Sequence, residues 1–217
     1  NDAGHERGRY GGTGRRMIVD ERFITFINSL DCGNTKLLDV MEQEALLGDV
    51  PIIRKETQAC LKMLLALKKP ERILEVGTAV GFSAVFLKTY APKDAAVTTI
   101  ENNRDRILAA RKNFKRAGME ETITLIAGDA AQELQKLQGT YDMIFMDAAK
   151  GQYICFLPHV LRLLAKDGML VSDNVLQDGD IIESRYAVIR RNRTIHKRMR
   201  EYLYALTHSA QLVTAVL

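Results

Sequence analysis

The stretch RILEVGTAVGFSA, residues 72–84, is the feature that most constrains the fold of this chain. It begins with an apolar run typical of a buried parallel strand, turns at Gly77 and Gly81, and continues in a helical pattern from Phe82. A strand, a glycine-bearing turn and a helix together let the backbone approach a nucleotide-like ligand. Ala79 stands where a dinucleotide fingerprint has its second glycine, so a purely structural turn is the alternative.

Acidic residues lie beside this turn and at the ends of the next two predicted strands. Glu75 precedes the turn, and Glu101 follows the strand-like run 96–100. That is about 20 positions beyond the turn, where a carboxylate commonly binds the two ribose hydroxyls. Another strand-like run, 123–126, is followed shortly by Asp129. Three acids on one rim of an open sheet predict an adenosine-type cofactor site, although each one singly could be a helix cap.

Composition limits the class of protein. The chain has 217 residues, 47% of them hydrophobic, which is enough for one α/β domain with a sizeable core. A net charge of +4 neither requires nor excludes an anionic partner. Cys32, Cys60 and Cys155 are widely spaced without a C-x-x-C, which indicates a reducing compartment. Because there is no apolar run of 18 residues and no signal-peptide pattern, we expect a soluble, cytoplasmic protein that does not enter a membrane.

The order of patterns along the chain predicts its organisation. Residues 1–16 are rich in Gly and Arg without apolar periodicity, which indicates a disordered leader or a cloning remnant, with Met17 as a possible start. A basic arm that contacts nucleic acid is the alternative. We expect residues 17–217 to form a single domain. Its N-terminal part has three helical patterns, beginning at Ile18 and covering 37–47 and 55–67.

The remainder of the chain alternates between strand and helix patterns. This alternation predicts an α/β fold with a doubly wound, mostly parallel sheet, Rossmann-like, carrying extra N-terminal helices. A turn is expected at 166–168, a loop over 174–182, and then a long basic helix. The predicted strands are 72–76, 96–100, 122–126, 142–146 and 169–172, with a further strand at Gln211–Leu217.

Polar residues follow the fourth and fifth predicted strands. Asp147 comes directly after the fourth strand, and Asp173 and Asn174 follow the fifth. Because neighbouring parallel strands end on one edge, these three oxygen donors can converge on Mg²⁺ or Ca²⁺. Such a cation would bind a hydroxyl as its oxyanion. Lys150 is close enough in sequence to deprotonate that hydroxyl or to hold its oxyanion, and a solvated surface charge is the alternative.

Five segments together resemble a known family. ILEVGTAVGFSA, TIEN, GDA, YDMIFMDAAKGQY and LVSDNVL resemble, in order and spacing, the motifs of the cation-dependent class I S-adenosylmethionine O-methyltransferases of the catechol and caffeoyl-CoA type. The resemblance covers about residues 17–217. It implies S-adenosyl-L-methionine and a divalent cation, with Mg²⁺ expected, as cofactors. It also implies a homodimer formed through the N-terminal helices and one more strand beyond Leu217.

The resemblance implies specific roles for residues of this chain. Glu101 would bind the cofactor ribose, Asp129 and Ala130 would lie near the adenine, and Gly77 and Ser83 near the methionine moiety. Ile53 would contribute from the N-terminal helices, and Glu75 and Asp147 would also border the cofactor. The metal ligands would be Asp147, Asp173 and Asn174. The catalytic residues would be Lys150 as base, together with Asp147.

A closer resemblance concerns the substrate. DAAKGQY, a DNVL loop without the tryptophan of the plant enzymes, and the basic segment 185–200 resemble the bacterial tRNA 5-hydroxyuridine methyltransferases, which form 5-methoxyuridine. The segment would bind RNA phosphates near the anticodon through Arg190, Arg191, Arg193 and Lys197. An ordinary amphipathic helix with Ile189, Met199 and Leu203 toward the core is compatible with this. The alternative substrate is a small catechol-like or phenolic compound.

Two other classes of protein compete with an O-methyltransferase. A nucleotide-binding oxidoreductase on the same fold would favour the glycine fingerprint that Ala79 interrupts, and it leaves Asp147, Asp173 and Asn174 without a purpose. A non-catalytic RNA-binding protein would keep its activity after Asp147→Ala. The enzyme hypothesis instead predicts near-complete loss of methyl transfer in that variant.

Overall fold

Residues 20–184 and 186–217 are described by the computed structural model. The predicted leader at 1–16, the possible start at Met17 and the basic residue Arg185 lie outside the described residues. That residues 17–217 form one domain stays a prediction. The helices are α1 (Glu21–Ser29), α2 (Lys36–Leu47), α3 (Lys55–Lys68), α4 (Phe82–Tyr90), α5 (Arg104–Arg116), α6 (Ala130–Lys136), α7 (Tyr153–Leu163) and α8 (Arg193–Thr207). The strands are β1 (Arg72–Val76), β2 (Ala96–Glu101), β3 (Ile123–Ala127), β4 (Tyr141–Met146) and β5 (Leu164–Ser172).

The five strands form one parallel sheet in the order β3-β2-β1-β4-β5. Val76 at the end of β1 is in register with Ile100 of β2 and with Met146 of β4. Met146 is in turn in register with Ser172 of β5. The residues that follow these strands therefore share one rim of the sheet. The predicted Rossmann-like α/β fold is confirmed.

Helices cover both faces of the sheet. The side chains of each strand point alternately to the two faces, and both sets are largely apolar. On one face, Ile73 and Phe145 pack in a core with residues of α2, α3, α4 and α5. On the other, Leu74 and Ile144 pack with residues of α6, α7 and α8. This two-sided burial explains why β1 and β4 read as nearly continuous apolar runs.

The first helix leaves its apolar side uncovered. Asp20 caps α1, its carboxylate accepting a hydrogen bond from the Arg22 amide at 2.9 Å. No residue of α1 is buried, and three of its large apolar side chains are more than half exposed, as is the one that directly follows the helix. These exposed side chains are Phe23, Phe26, Ile27 and Leu30. In residues 20–184 and 186–217, no helix is both long and apolar enough to cross a membrane.

The structure corrects the expectations at the C-terminal side of the chain. Residues 211–217 form no strand, because this segment pairs with no strand of the described sheet, and β5 is the last strand in the order. The turn expected at 166–168 lies inside β5, at a shift of register between β4 and β5. The loop expected over 174–182 ends in a 3-10 helix, Gln177–Ile182. Ile189 does not face the core but is 62% exposed, whereas Met199 is fully buried.

Candidate active site

The glycine turn after β1 packs against the end of β4. Gly77 has φ +92°, and a Cβ built there would lie 2.6 Å from the carbonyl oxygen of Asp147. Gly81 has φ +84°, and its Cβ would meet the Phe114 ring at 2.7 Å. Both glycines are therefore required by contacts within the chain and by the left-handed backbone. This favours the structural explanation of the glycines, and the packing also brings Asp147 to the turn.

Glu101 lies against the same turn. One of its carboxylate oxygens accepts a hydrogen bond from the Ala79 amide at 2.9 Å. The other accepts from the amides of Asn102 and Asn103, each at 3.0 Å. The side chain is only 7% exposed. Because a carboxylate has about four acceptor sites and three are used here, this fixed group retains capacity for one sugar hydroxyl, at the oxygen that accepts only from Ala79.

Glu75 is a fully buried acid beneath the turn. The Thr99 hydroxyl donates to its Oε2, while its Oε1 has no hydrogen-bond partner in the described part of the chain. Burial raises the pKa of Glu75 to about 7, against the lowering effect of the nearby hydroxyls of Ser83, Thr78 and Thr99. An unpaired, buried carboxyl oxygen is costly. A hydrogen bond from the nearby hydroxyl of Thr78 or Ser83, or from a bound polar ligand, would relieve that cost.

A small cleft joins the N-terminal helices to the turn. Ile53, in the loop before α3, lines it with Thr78, Ser83 and Asp147. Ile53 itself is almost completely buried. The structure thus brings together four side chains from three separate regions of the chain. Three of these side chains, Ile53, Ser83 and Asp147, were predicted from the sequence.

Asp129 and Ala130 lie on the same rim, one strand beyond Glu101. The Gly128 amide donates to the Glu101 carbonyl oxygen at 2.9 Å, which places the β3 end beside the β2 end. Asp129 caps α6, its carboxylate accepting from the Ala131 amide at 3.0 Å. The capping role is therefore real. Asp129 is also exposed, so contact with an adenine stays a prediction.

The two acids of β4 and β5 lie side by side. The Asp173 amide donates to the Met146 carbonyl oxygen at 3.0 Å, so Asp147 and Asp173 begin adjacent loops. Burial, and then the charge of Asp147, raise the pKa of Asp173. Two carboxylates that repel one another at a partly buried site are a suitable donor set for a hard cation. Asn174 follows at the rim, exposed and with φ +52°.

Lys150 is held beside these acids. Its Nζ donates to Asp147 Oδ1 at 2.8 Å and to the Tyr153 hydroxyl at 3.0 Å, and the side chain is 20% exposed. The alternative of a solvated surface charge therefore does not describe Lys150. Within residues 20–184 and 186–217 there is no group of three or more His, Cys, Asp or Glu side chains arranged to hold a metal. A third ligand from the described part of the chain would have to be of another type, such as the amide oxygen of Asn174.

Two residues at this site were not expected from sequence. Tyr153 is fully buried, donates to the Met146 carbonyl oxygen at 2.8 Å, and has a pKa raised by burial. Its position three residues after Lys150 was a signal that could have identified it. Thr57 of α3 donates to Asp173 Oδ1 at 3.4 Å. No local pattern reveals Thr57, because 116 residues separate the two.

The basic segment has two sides. Arg190, Arg191 and Lys197 are exposed, and Lys197 lies 3.6 Å from Glu201. Arg193 instead donates to the carbonyl oxygens of residues 186 and 188, both at 3.2 Å. The inner side of α8 packs in the core. The amphipathic helix is thus observed, and three of the four predicted RNA contacts remain exposed.

Comparison with known proteins identifies the family. Residues 35–207 match the model of the O-methyltransferase family, which is more than half of the chain. This protein belongs to that family. The predicted resemblance to its catechol and caffeoyl-CoA type is confirmed, whereas closeness to the tRNA enzymes stays a prediction.

Individual relatives agree with this assignment. A catechol O-methyltransferase of Niastella koreensis is 33% identical over 57% of this chain and 58% of its own length. One of Mycobacterium tuberculosis is 32% identical over 56% of each chain. The chain thus spans less than two thirds of the length of these curated relatives.

Solved structures agree over a longer range. A Staphylococcus aureus structure, provisionally described as a caffeoyl-CoA O-methyltransferase, has a TM-score of 0.79 and 30% identity over 88% of this chain and 90% of its own. A Podospora anserina methyltransferase bound to S-adenosylhomocysteine has a TM-score of 0.77 and 25% identity, over 88% and 86%.

Proposed function

We propose that this chain catalyses S-adenosylmethionine-dependent, cation-assisted O-methylation. The observation that carries the proposal is the position of Asp147. Its carbonyl oxygen lies 2.6 Å from the position of a Cβ on Gly77, and its carboxylate binds the Lys150 ammonium beside Asp173. Asp147 therefore joins the turn that would hold the cofactor to the acids that would hold a cation.

The residues around the turn suit a sulfonium nucleoside cofactor. S-Adenosylmethionine, when bound, supplies the electrophilic methyl group. Three backbone amides orient the oxygens of Glu101, and the acceptor site that remains would take a hydrogen bond from a ribose hydroxyl. Glu75, whose Oε1 has no hydrogen-bond partner among the described residues, would border the cofactor. The remaining predicted contacts are Ile53, Gly77, Ser83, Asp129, Ala130 and Asp147.

The oxygen donors on the rim suit Mg²⁺. Asp147, Asp173 and Asn174 would hold it, and a divalent cation there would lower the pKa of a bound hydroxyl and orient it. As an ammonium, Lys150 pairs with the Asp147 carboxylate, with 2.8 Å between Nζ and Oδ1. In that state it can hold a developing oxyanion. To act as the base it must first release a proton, for example to solvent.

For the substrate we favour 5-hydroxyuridine in tRNA, which would become 5-methoxyuridine. The support is the exposed charge of Arg190, Arg191 and Lys197, which lie in α8 or just before it. Helix α8 contacts the turn that carries Lys150 through the bond from Arg198 to the Gly151 carbonyl oxygen. A wobble base in the single-stranded anticodon loop can leave its stack to enter a pocket. The alternative is a small catechol-like substrate, because two relatives are named catechol O-methyltransferases.

One assay separates these substrates. The purified chain is incubated with methyl-labelled cofactor, Mg²⁺ and one of three acceptors: tRNA carrying 5-hydroxyuridine, the same tRNA without the hydroxyl, or catechol. The proposal expects label only in hydroxylated tRNA, and label only in catechol supports the alternative.

Asp147→Ala should reduce transfer at least about 100-fold, as removal of an essential catalytic group does. The exposed Asp94→Ala is the matched control. Transfer that survives Asp147→Ala would contradict the proposed chemistry.

The assembly and location belong to the same proposal. A homodimer through the N-terminal helices is supported by the exposed apolar side chains of α1. The three cysteines are free, which suits a reducing, cytoplasmic environment.

A further inference from the structure

Helix α8 contacts the turn that carries Lys150. The Arg198 guanidinium donates through Nη1 to the carbonyl oxygen of Gly151, at 3.0 Å and across 47 residues. Ile195, one helical turn earlier, has its Cγ1 3.5 Å from the position of a Cβ on Gly151. The inner side of α8 therefore contacts, at two points, the residue that directly follows Lys150.

The turn itself is short. Residues Lys150–Gln152 form a single 3-10 turn, closed by a hydrogen bond from the Gln152 amide to the Ala149 carbonyl oxygen at 2.8 Å. A 3-10 turn has poorer hydrogen-bond geometry than an α-helix. A hydrogen bond from an ionised guanidinium is about twice as strong as a neutral one. The bond from Arg198 is therefore a substantial part of what fixes this backbone.

We infer that Arg198 is a positioning residue for Lys150. It holds the carbonyl of Gly151, and thereby keeps the Lys150 ammonium within hydrogen-bond distance of Asp147 and Tyr153. This inference rests on the proposed function only in giving Lys150 a catalytic role. It also gives two neighbouring residues of the basic segment different roles. Arg198 hydrogen-bonds to the turn that carries Lys150, whereas Lys197 is exposed.

The test compares two arginines that make the same kind of bond. Arg198→Met removes the bond to Gly151. Arg162→Met is the matched control, because Arg162 donates to the carbonyl oxygens of Leu134 and Leu137, at 2.8 and 3.1 Å, in another part of the fold. Arg198→Lys keeps a charged donor and should recover part of the loss. Melting curves establish that each variant is folded.

Two readouts are needed. Hydrogen exchange followed by mass spectrometry should show the amides of 150–153 exchanging about 10-fold faster in Arg198→Met, in line with the tenfold ratio that about 1.4 kcal/mol represents. In the methyl-transfer assay, kcat should fall about 10- to 100-fold, because a displacement of about 1 Å can cost 100-fold, while KM for the cofactor stays within about twofold. Arg162→Met should change neither quantity, whatever it does to the melting temperature.

Each result decides the inference. Unchanged exchange at 150–153 in Arg198→Met, or an equal change in Arg162→Met, would overturn it. A fall in affinity for the substrate with kcat preserved would also overturn it, since Arg198 would then bind the substrate directly. If the wild-type chain transfers no methyl group to any acceptor, the proposed function fails, and the exchange measurement still decides whether Arg198 fixes the turn.

Discussion

Glu75 is an acidic residue in an environment that disfavours its charged form. It has no exposed surface, and one of its carboxyl oxygens has no partner among the described residues. The hydroxyl of Thr99, in β2, donates a hydrogen bond to the other carboxyl oxygen of Glu75. Such a group is stable in the folded chain mainly when it carries a proton. The free energy of unfolding should therefore depend on pH through this residue.

The pH dependence has a definite sign. Burial raises the pKa of Glu75 from 4.5 to about 7 in the folded chain. Between these values the folded state binds more protons than the unfolded state, so stability falls as pH rises through this window. The shift corresponds to at most about 3 kcal/mol. Glu75→Gln, which cannot ionise, should gain stability relative to the wild type as pH rises from about 5 to 8.

Urea denaturation of the chain without cofactor or metal measures this effect. Glu121→Gln, a change of an exposed carboxylate, controls for the loss of one negative charge. A stability difference between Glu75→Gln and the wild type that stays constant across this range would show that Glu75 is ionised throughout.

At the scale of elements, the β1–α4 turn is fixed by its contact with β4. The turn contains Gly77 and Gly81, both with positive φ, and Ala79 with φ +45° between them. Sequence indicates that glycine is needed there but not why. The reason is the backbone of Asp147, which lies too close to Gly77 for any Cβ.

Substitutions at two glycines with positive φ distinguish the cost of backbone strain from the cost of overpacking. Gly77→Ala adds a Cβ 2.6 Å from the Asp147 carbonyl oxygen, whereas at Gly118, φ +63°, an added Cβ meets nothing within 4 Å. Gly118→Ala should therefore cost only the left-handed strain, about 1 kcal/mol. Gly77→Ala adds overpacking and should cost about 3 kcal/mol or more. Equal losses in urea denaturation would mean that the contact with Asp147 yields easily.

The C-terminal segment 211–217 was predicted to be a strand and does not form one. The apolar residues 211–217 have the composition of a strand. Val213 is nevertheless fully exposed, and the Thr214 hydroxyl donates to the Leu206 carbonyl oxygen instead of the segment pairing with β5. A strand exists only where a neighbour accepts its hydrogen bonds, and composition does not specify that neighbour.

At the scale of the whole molecule, α1 extends its apolar side away from the core. Phe26 is 62% exposed and Leu30 66% exposed. Asn28 anchors the helix to α3 through a hydrogen bond to the Glu56 carboxylate at 2.6 Å. The helix is thus held in place while its apolar residues stay uncovered, as at a surface that binds a partner.

The homodimer proposal predicts the effect of one charge on this surface. Phe26→Asp would place a carboxylate in the apolar contact between the two copies, which is costly without a partner. We expect the wild type to sediment as a dimer and Phe26→Asp as a monomer in analytical ultracentrifugation. Leu108→Asp is the control, because Leu108 is similarly exposed, at 59%, on α5. A monomeric wild type, or a dimeric Phe26→Asp, would contradict the proposal.

The sequence by itself determined most of the strands and helices and which side chains reach the rim. Short apolar runs marked β1 through β4 within a residue or so, and the order of the strands in the chain placed Glu101, Asp147 and Asp173 at strand ends. These properties follow from local periodicity and from the rule that parallel strands end on one edge.

Only the tertiary structure decided which groups meet. The closeness of Gly77 to Asp147, of Thr57 to Asp173 and of Arg198 to Gly151 joins segments from 47 to 116 residues apart. No local pattern encodes such a pair, because each contact depends on how helices and strands pack in three dimensions. For the same reason the sequence predicted a strand at 211–217, where the fold offers no neighbouring strand to complete it.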